Sequence, residues 1–473
     1  MKKTKLVAVV AAAIIGATTI GALAGCGTDP EHTINVFLLA NAQEQTVYRS
    51  YFKELESELQ EEFGEKYSIS FRGQEKGPYY QKLASDNSGG EQDLPDIFYL
   101  RPNELLIYKD RIANLQSYAD SQTAVNLDDI YESALNMYRL NPATGTLGNE
   151  EDDLYAFPKD LSTQQLGYNK TLLSQYEVAI HEAGYKMPWE MDFTTKTYTW
   201  TEYQAICKVI ADKAAADKKS IYASDIPSIE ILTKSFGTSG NDTLIDLSGG
   251  RAEGKINELK SGPVAQAIQY QAGFVDCGAG NYSATYSEFS AGRVCFYGLV
   301  ASWEIAEYND IFGDGNWEVM PWPTRDGGTN WQGVIMSAGY VVSKTCAESA
   351  KGDVAKYVAL SLLSGKTQER FVKNEKITLP LRPSVADDYI SSANDTVYSP
   401  KTRKYFLDVI SGDHGFFSAT YSTYDADWMK PLNTQLEIIW NAGKGAANNK
   451  LSGIEWDTVK EQMQTYYDMT KNS

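Results

Sequence analysis

From Thr33 the chain reads Thr-Ile-Asn-Val-Phe-Leu-Leu39, an apolar run that predicts a buried strand. Phe52, Leu55, Leu59 and Phe63 then recur at helical spacing, while Glu54, Glu56, Glu58, Glu61 and Glu62 fill the other faces, so an amphipathic surface helix follows. Residues 67 to 71 predict a second strand, residues 79 to 85 a short helix, and residues 96 to 100 a third strand entered through Pro95. Strands alternating with helices predict a parallel sheet covered on both faces, an α/β fold. Ligands of such sheets collect beyond the carboxyl ends of the strands, where Asn41, Tyr99 and Arg101 lie.

Further along, residues 141 to 153 mix Gly, Asn, Thr and acids without periodicity, which predicts an exposed loop. Thr199 and Glu202 form a capping-box pair ahead of a helix whose Tyr203, Ile206, Cys207 and Ile210 share one apolar face, placing Cys207 in a core. Another helix is predicted over about 350 to 364, with Ala355, Val358, Ala359 and Leu362 on one side and Gly365 as its stop. No internal repeat or low-complexity linker divides the chain.

The first 25 residues follow a different rule. Lys2, Lys3 and Lys5 precede an uncharged, Ala-, Val- and Ile-rich run over 6 to 25, the n-region and h-region of an export signal. The run ends Leu23-Ala-Gly-Cys26, which resembles the lipobox of bacterial lipoproteins. That resemblance implies a cut before Cys26, lipidation of its thiol (palmitate or a similar acyl chain) and a mature protein anchored on the outer side of the cell membrane. Residues 26 to 32 would be the tether.

Composition narrows the partners. With 43 basic and 62 acidic residues among 473, the net charge is −19, so nucleic acid is excluded as a partner for want of a basic face. Cys207, Cys277, Cys295 and Cys346 show no disulfide-framework or zinc spacing, and a 277–295 pairing stays open. His32, His181 and His414 are far apart in sequence, so neither a metal nor another cofactor is expected. The 9 Trp, 31 Tyr and 16 Phe supply apolar ring faces, and Tyr adds a hydroxyl, as a sugar site needs.

Several segments, in order, resemble the carbohydrate-specific extracellular solute-binding proteins of bacterial ABC importers, the family 1 type that includes maltose-binding protein. They are Leu94-Pro-Asp-Ile-Phe98, Tyr155-Ala-Phe-Pro-Lys-Asp160 running on to Gly167-Tyr-Asn-Lys170, and Tyr198-Thr-Trp-Thr-Glu-Tyr203. They continue with Phe289-Ser-Ala-Gly-Arg-Val-Cys-Phe-Tyr297 before Ser302-Trp303, then Pro321-Trp-Pro323 and Gly333-Val-Ile-Met-Ser-Ala-Gly339.

The resemblance implies a periplasmic-binding-protein-like fold of two α/β lobes with a hinge and a ligand cleft. Lobe one would be 33–158 plus 324–366 and lobe two 159–323 plus 367–473. It implies a monomeric, non-enzymatic sugar carrier that delivers its cargo, an oligosaccharide, to membrane permease subunits. Trp303, Trp428 and Tyr99 match positions where the family stacks rings on sugar, Trp331 stands at a strand entry near the ligand, and Asp160 and Ser162 lie in the crossing segment. Arg101, Asn41, Gln43 and Glu44, at strand ends, complete the expected ligand set. Where the family carries acidic and Arg residues after the Pro-Asp strand, this chain has Arg101-Pro-Asn-Glu104, so the identity of the sugar does not carry over. Peptide cargo on the same fold and an extracellular glycoside hydrolase are the alternatives, the latter requiring two opposed carboxylates.

Overall fold

The computed structural model describes residues 29–89, 94–237, 243–247, 253–313, 315–370, 379–386, 400–412, 414–417 and 427–470. The expected export signal over 1 to 25 and the expected lipidation site Cys26 lie outside the described residues. Among the described residues, no helix is long and apolar enough to cross a membrane.

The apolar run at the start forms strand β1 (Thr33–Leu39), buried on both faces. Asn41 then caps helix α1 (Ala42–Phe63) in a complete capping box: its Oδ1 accepts from the Glu44 amide at 2.9 Å, and Glu44 Oε2 accepts from the Asn41 amide at 2.8 Å. Two orphan donors of the first turn are thereby satisfied, and α1 buries Val47, Tyr48, Tyr51, Phe52, Leu55 and Leu59. Gly64, at φ 71°, ends it in the left-handed conformation. Strand β2 (Ser68–Gln74), helix α2 (Lys76–Gly89) and strand β3 (Ile97–Leu100) follow. The Pro-Asp motif proves structural: Asp96 Oδ2 accepts from the Asn35 amide at 2.7 Å and from Lys351 Nζ at 2.6 Å, pinning β3 beside β1.

Residues 141 to 153 are not the plain loop expected. Strands β4 (Arg139–Asn141), β5 (Thr146–Leu147) and β6 (Asp153–Leu154) make a small antiparallel sheet, its turns supplied by Gly145 and Gly148 at positive φ and its inner face by Leu140 and Leu154. With strands of two or three residues, the pattern is too short to show a period of two.

Strand β7 (Phe157–Asn169) is thirteen residues long. Beyond it come helix α3 (Glu177–Glu182), helix α4 (Trp200–Ala216), strand β8 (Tyr222–Ser224), a two-strand ribbon of β9 (Ile245–Asp246) and β10 (Lys255–Ile256), then β11 (Val294–Ala301), β12 (Trp317–Met320) and β13 (Gly333–Val342). Helix α4 carries the expected capping box, with Thr199 Oγ1 accepting from the Glu202 amide at 3.0 Å, and buries Cys207. All four described cysteines are free, so Cys277 and Cys295 form no disulfide.

The main sheet runs β2-β1-β3-β13-β7-β11-β8, with β12 also on β7 and β14 (Gly415–Phe417) on β13. The expected all-parallel sheet is in fact mixed. β1 pairs in parallel with β2 and β3, but β13 is antiparallel to both β3 and β7. β7 changes neighbours half-way: residues up to Gln164 pair with β13, and those from Gln164 onward pair with β11 and β12.

Helix α5 (Gly352–Ser361) ends earlier than predicted, and Gly365 opens a new helix, α6 (Gly365–Glu369), whose cap is Ser364. Gly365 lacks a positive φ, so it is no left-handed stop. At Gly352 the absent side chain is required instead, since a Cβ there would lie 2.3 Å from the Ala347 carbonyl oxygen. Backbone cannot step aside as a flexible side chain can. Gly352→Ala is expected to lower stability by about 1–3 kcal/mol, read as a reduced urea midpoint at unchanged slope.

Candidate ligand-binding site

The site is organised by a β-bulge. In the β7–β13 pairing Pro158 faces Gly339 and Asp160 faces Ala338, which leaves Lys159 as the extra residue. A bulge tilts neighbouring side chains toward one face, and here it turns both Lys159 and Asp160 to the end of α1. The bare Gly339 opposite is needed, because a Cβ there would meet the Tyr138 ring at 2.6 Å. Tyr138 in turn donates to Ser337 Oγ at 3.1 Å, and Ser337 Oγ donates to the Asp160 carbonyl at 2.6 Å.

Lys159 Nζ lies 2.8 Å from Glu44 Oε1 and 3.5 Å from Asp160 Oδ2, with its ammonium 5.8 Å from the centre of the Tyr99 ring. Asp160 Oδ1 accepts from the Ala338 amide at 3.2 Å. Glu44 is held twice over, by the capping box and by Lys159. Burial works against the charge on Lys159, but Glu44 and Asp160 more than offset it and hold the ammonium well above its ordinary range. Burial pushes the Asp160 carboxyl up, with Lys159 opposing and Glu44 adding to the rise. Asn41, Glu44, Tyr99 and Asp160, four of the expected ligand residues, are thus drawn together by a lysine that the reading of the sequence passed over.

Past the bulge, β7 alternates regularly. Asp160, Ser162 and Gln164 share a half-buried face, while Leu161, Thr163 and Gln165 are fully buried on the other. Ser162 Oγ donates to the Met336 carbonyl at 3.3 Å, which leaves its lone pairs available. The Thr163 backbone holds Ser302 from both sides, its amide donating to Ser302 Oγ at 3.3 Å and its carbonyl accepting from the Ser302 amide at 3.0 Å. The next residue, Trp303, is 49% exposed. An indole with half its surface in water is therefore carried by a segment tied to β7, the strand that bears Asp160, Ser162 and Gln164.

The remaining expected residues stand apart. Arg101 pairs with Glu104 at 2.8 Å and lies 4.9 Å over the Tyr80 ring, whose neighbour Tyr79 packs edge-on against Tyr99. Gln43 is exposed in the first turn of α1. Trp331 is buried, stacked on His414 with ring centres 4.3 Å apart and planes 4° from parallel. Trp428 has no exposed surface and packs edge-on against Tyr467 of helix Trp456–Thr470. Both indoles fill core in this conformation and present no face to solvent.

A further acidic group was not anticipated. Asp225, just past β8, is buried and accepts from the Gly298 amide with both oxygens, at 3.0 and 2.9 Å. Burial pushes its carboxyl up to about 7, with the Gly298 and Ser224 hydrogen bonds acting the other way. Gly298 must be bare for this, since a Cβ would lie 2.6 Å from Trp322 Cη2. Nothing local in the sequence marks Asp225; its strand is three residues long.

No protein-family model matches the sequence, and no curated protein sequence matches it. Solved structures do. An ABC substrate-binding protein from Listeria monocytogenes in complex with cycloalternan matches 92% of this chain and 98% of its own at TM-score 0.64 and 16% identity. The sugar-binding protein MalE from Xanthomonas citri matches 93% and 97% at 0.62 and 18% identity. The GacH receptor of Streptomyces glaucescens, solved unliganded and with acarbose, matches 93% and 98% at 0.62 and 16% identity. The chain has the two-lobed solute-binding fold. In that fold, the stripe along β7 lies on the strand shared by both halves of the sheet.

Two outcomes follow from the buried charges. Lys159→Met removes one partner of a buried set and leaves Glu44 facing Asp160, so stability at pH 7 should fall by about 3–5 kcal/mol. The deficit should shrink on acidification, because a carboxyl raised in the folded state binds its proton more readily folded than unfolded; urea midpoints at pH 5 and pH 7 would show it. Asp225 follows the same sign. Its stability cost is absent below the unfolded value of 3.8 and grows as pH rises toward about 7, so Asp225→Asn should flatten the decline of wild-type stability between pH 4 and 7.

Proposed function

We propose that this protein is the substrate-binding component of an ABC importer, which captures a sugar, an oligosaccharide, between its lobes and hands it to membrane permease subunits. What supports this reading is an exposed indole, Trp303, whose neighbour Ser302 is tied to Thr163 in the strand that carries Asp160, Ser162 and Gln164. A pyranose offers C–H patches on its faces and hydroxyls around its rim, so it takes an aromatic plane together with a carboxylate that accepts from two neighbouring hydroxyls. Support from outside the site is the shared fold, whose structural relatives include proteins bound to cycloalternan, acarbose and maltose.

The hinge of this reading lies in β7, with lobe one built from 33–158 plus 324–366 and lobe two from the remainder. Closure would bring Trp303 toward the Glu44–Lys159–Asp160 cluster and bury the ligand between them. Trp331 and Trp428 then belong to the supporting core. Export and lipidation at Cys26 would keep the protein tethered outside the membrane, next to its permease, as a monomer without catalytic activity.

The test is calorimetry with linear and cyclic gluco-oligosaccharides and with monosaccharides. One class should bind with a dissociation constant of roughly micromolar, about 8 kcal/mol, and be released unchanged in length. Trp303→Ala and Asp160→Asn should each weaken binding by about tenfold or more while circular dichroism stays native. Failure of every sugar to bind, or binding indifferent to both substitutions, would overturn the reading.

A further inference from the structure

Away from β7, three side chains with metal-ligating chemistry converge. Glu177 and His181 stand four residues apart on α3 and so share one side of that helix. Glu190, thirteen residues along the chain from Glu177, comes from the 3₁₀ turn Pro188–Glu190 and brings its carboxylate 2.9 Å from His181 Nε2. One donor atom from each of the three lies within 4.8 Å of the other two. Among the described residues, this is the sole such group of His, Cys, Asp and Glu.

We propose that Glu177, His181 and Glu190 form a binding site for a first-row divalent cation, with Zn²⁺ the best match. The donor set is one imidazole nitrogen and two carboxylate oxygens, which suits a borderline cation better than Ca²⁺ or Mg²⁺, whose ligands are all oxygen. Zinc–ligand distances of about 2.0–2.2 Å place ligand atoms around 3–4 Å apart, so the observed separations need only small side-chain rotations. The two carboxylates bring the charge that a dication requires.

Glu190 is also held in place for the task. Its Oε2 accepts from the Met187 amide at 2.8 Å, the kind of outer hydrogen bond that orients a metal ligand. The nearby charged group that opposes a cation is Lys186. Three protein ligands leave one tetrahedral position for water or for a donor from another molecule. A bound ion would clasp α3 to the 3₁₀ turn beside it. This assignment is independent of the sugar reading.

The test is calorimetric titration of Zn²⁺ into the chelator-stripped mature chain in a Cys277→Ser background, which removes the half-buried thiol as a competitor. One ion per chain is expected, with affinity falling by at least about tenfold in His181→Ala and in Glu177→Gln, and sugar binding unaffected. Substituted Co²⁺ should show d–d absorption without a thiolate charge-transfer band. Lack of saturable binding, binding that survives both substitutions, or a thiolate band would overturn the proposal.

Discussion

One extra residue in one strand decides how this molecule is arranged. Were β7 and β13 paired without the bulge, Lys159 and Asp160 would point to opposite faces, and the ammonium would lie away from Glu44. With the bulge, a cation sits between two carboxylates from different elements. One carboxylate also caps α1, so the first helix and the central strand are fixed relative to each other by a single buried charge. Such a cluster is costly to dehydrate, and its return is specificity of arrangement more than stability.

Around that point the polar groups are held in successive layers. Tyr138 fills the space left by Gly339, bonds Ser337, and Ser337 bonds the backbone of Asp160. Tyr48 and Tyr340 share a hydroxyl–hydroxyl hydrogen bond of 2.6 Å behind the cluster. Side chains on the half-buried face of β7 are thus backed by hydrogen-bonded groups on the far side of the sheet's central strands. Trp303 alone among the expected aromatics keeps an open face, because the turn that carries it is tied to β7 through Ser302 and not packed into core.

Much of the fold was legible from local pattern. β1 matches its predicted residues, the capping box of α4 lies where Thr199–Glu202 put it, and Cys207 is in the core, whereas the Asn41–Glu44 capping box of α1 went unread. Of the residues expected to hold ligand, Asn41, Glu44, Tyr99 and Asp160 converge. Trp331 and Trp428 do not present a face, since an indole at a motif position can equally fill core, and only neighbours such as His414 and Tyr467 settle which it does. The small sheet over 139 to 154 escaped because two-residue strands carry no period.

The sequence by itself determined the strand and helix segments, the caps and the supply of aromatic and acidic side chains, because these follow from spacing within a few residues. Tertiary structure decided the mixed sheet direction, the bulge at Lys159, the burial of Asp225 against the Gly298 amide, and the meeting of Glu190 with Glu177 and His181. Each of these depends on which distant backbone lies alongside, and hydrophobic periodicity records that a face is buried without recording what buries it.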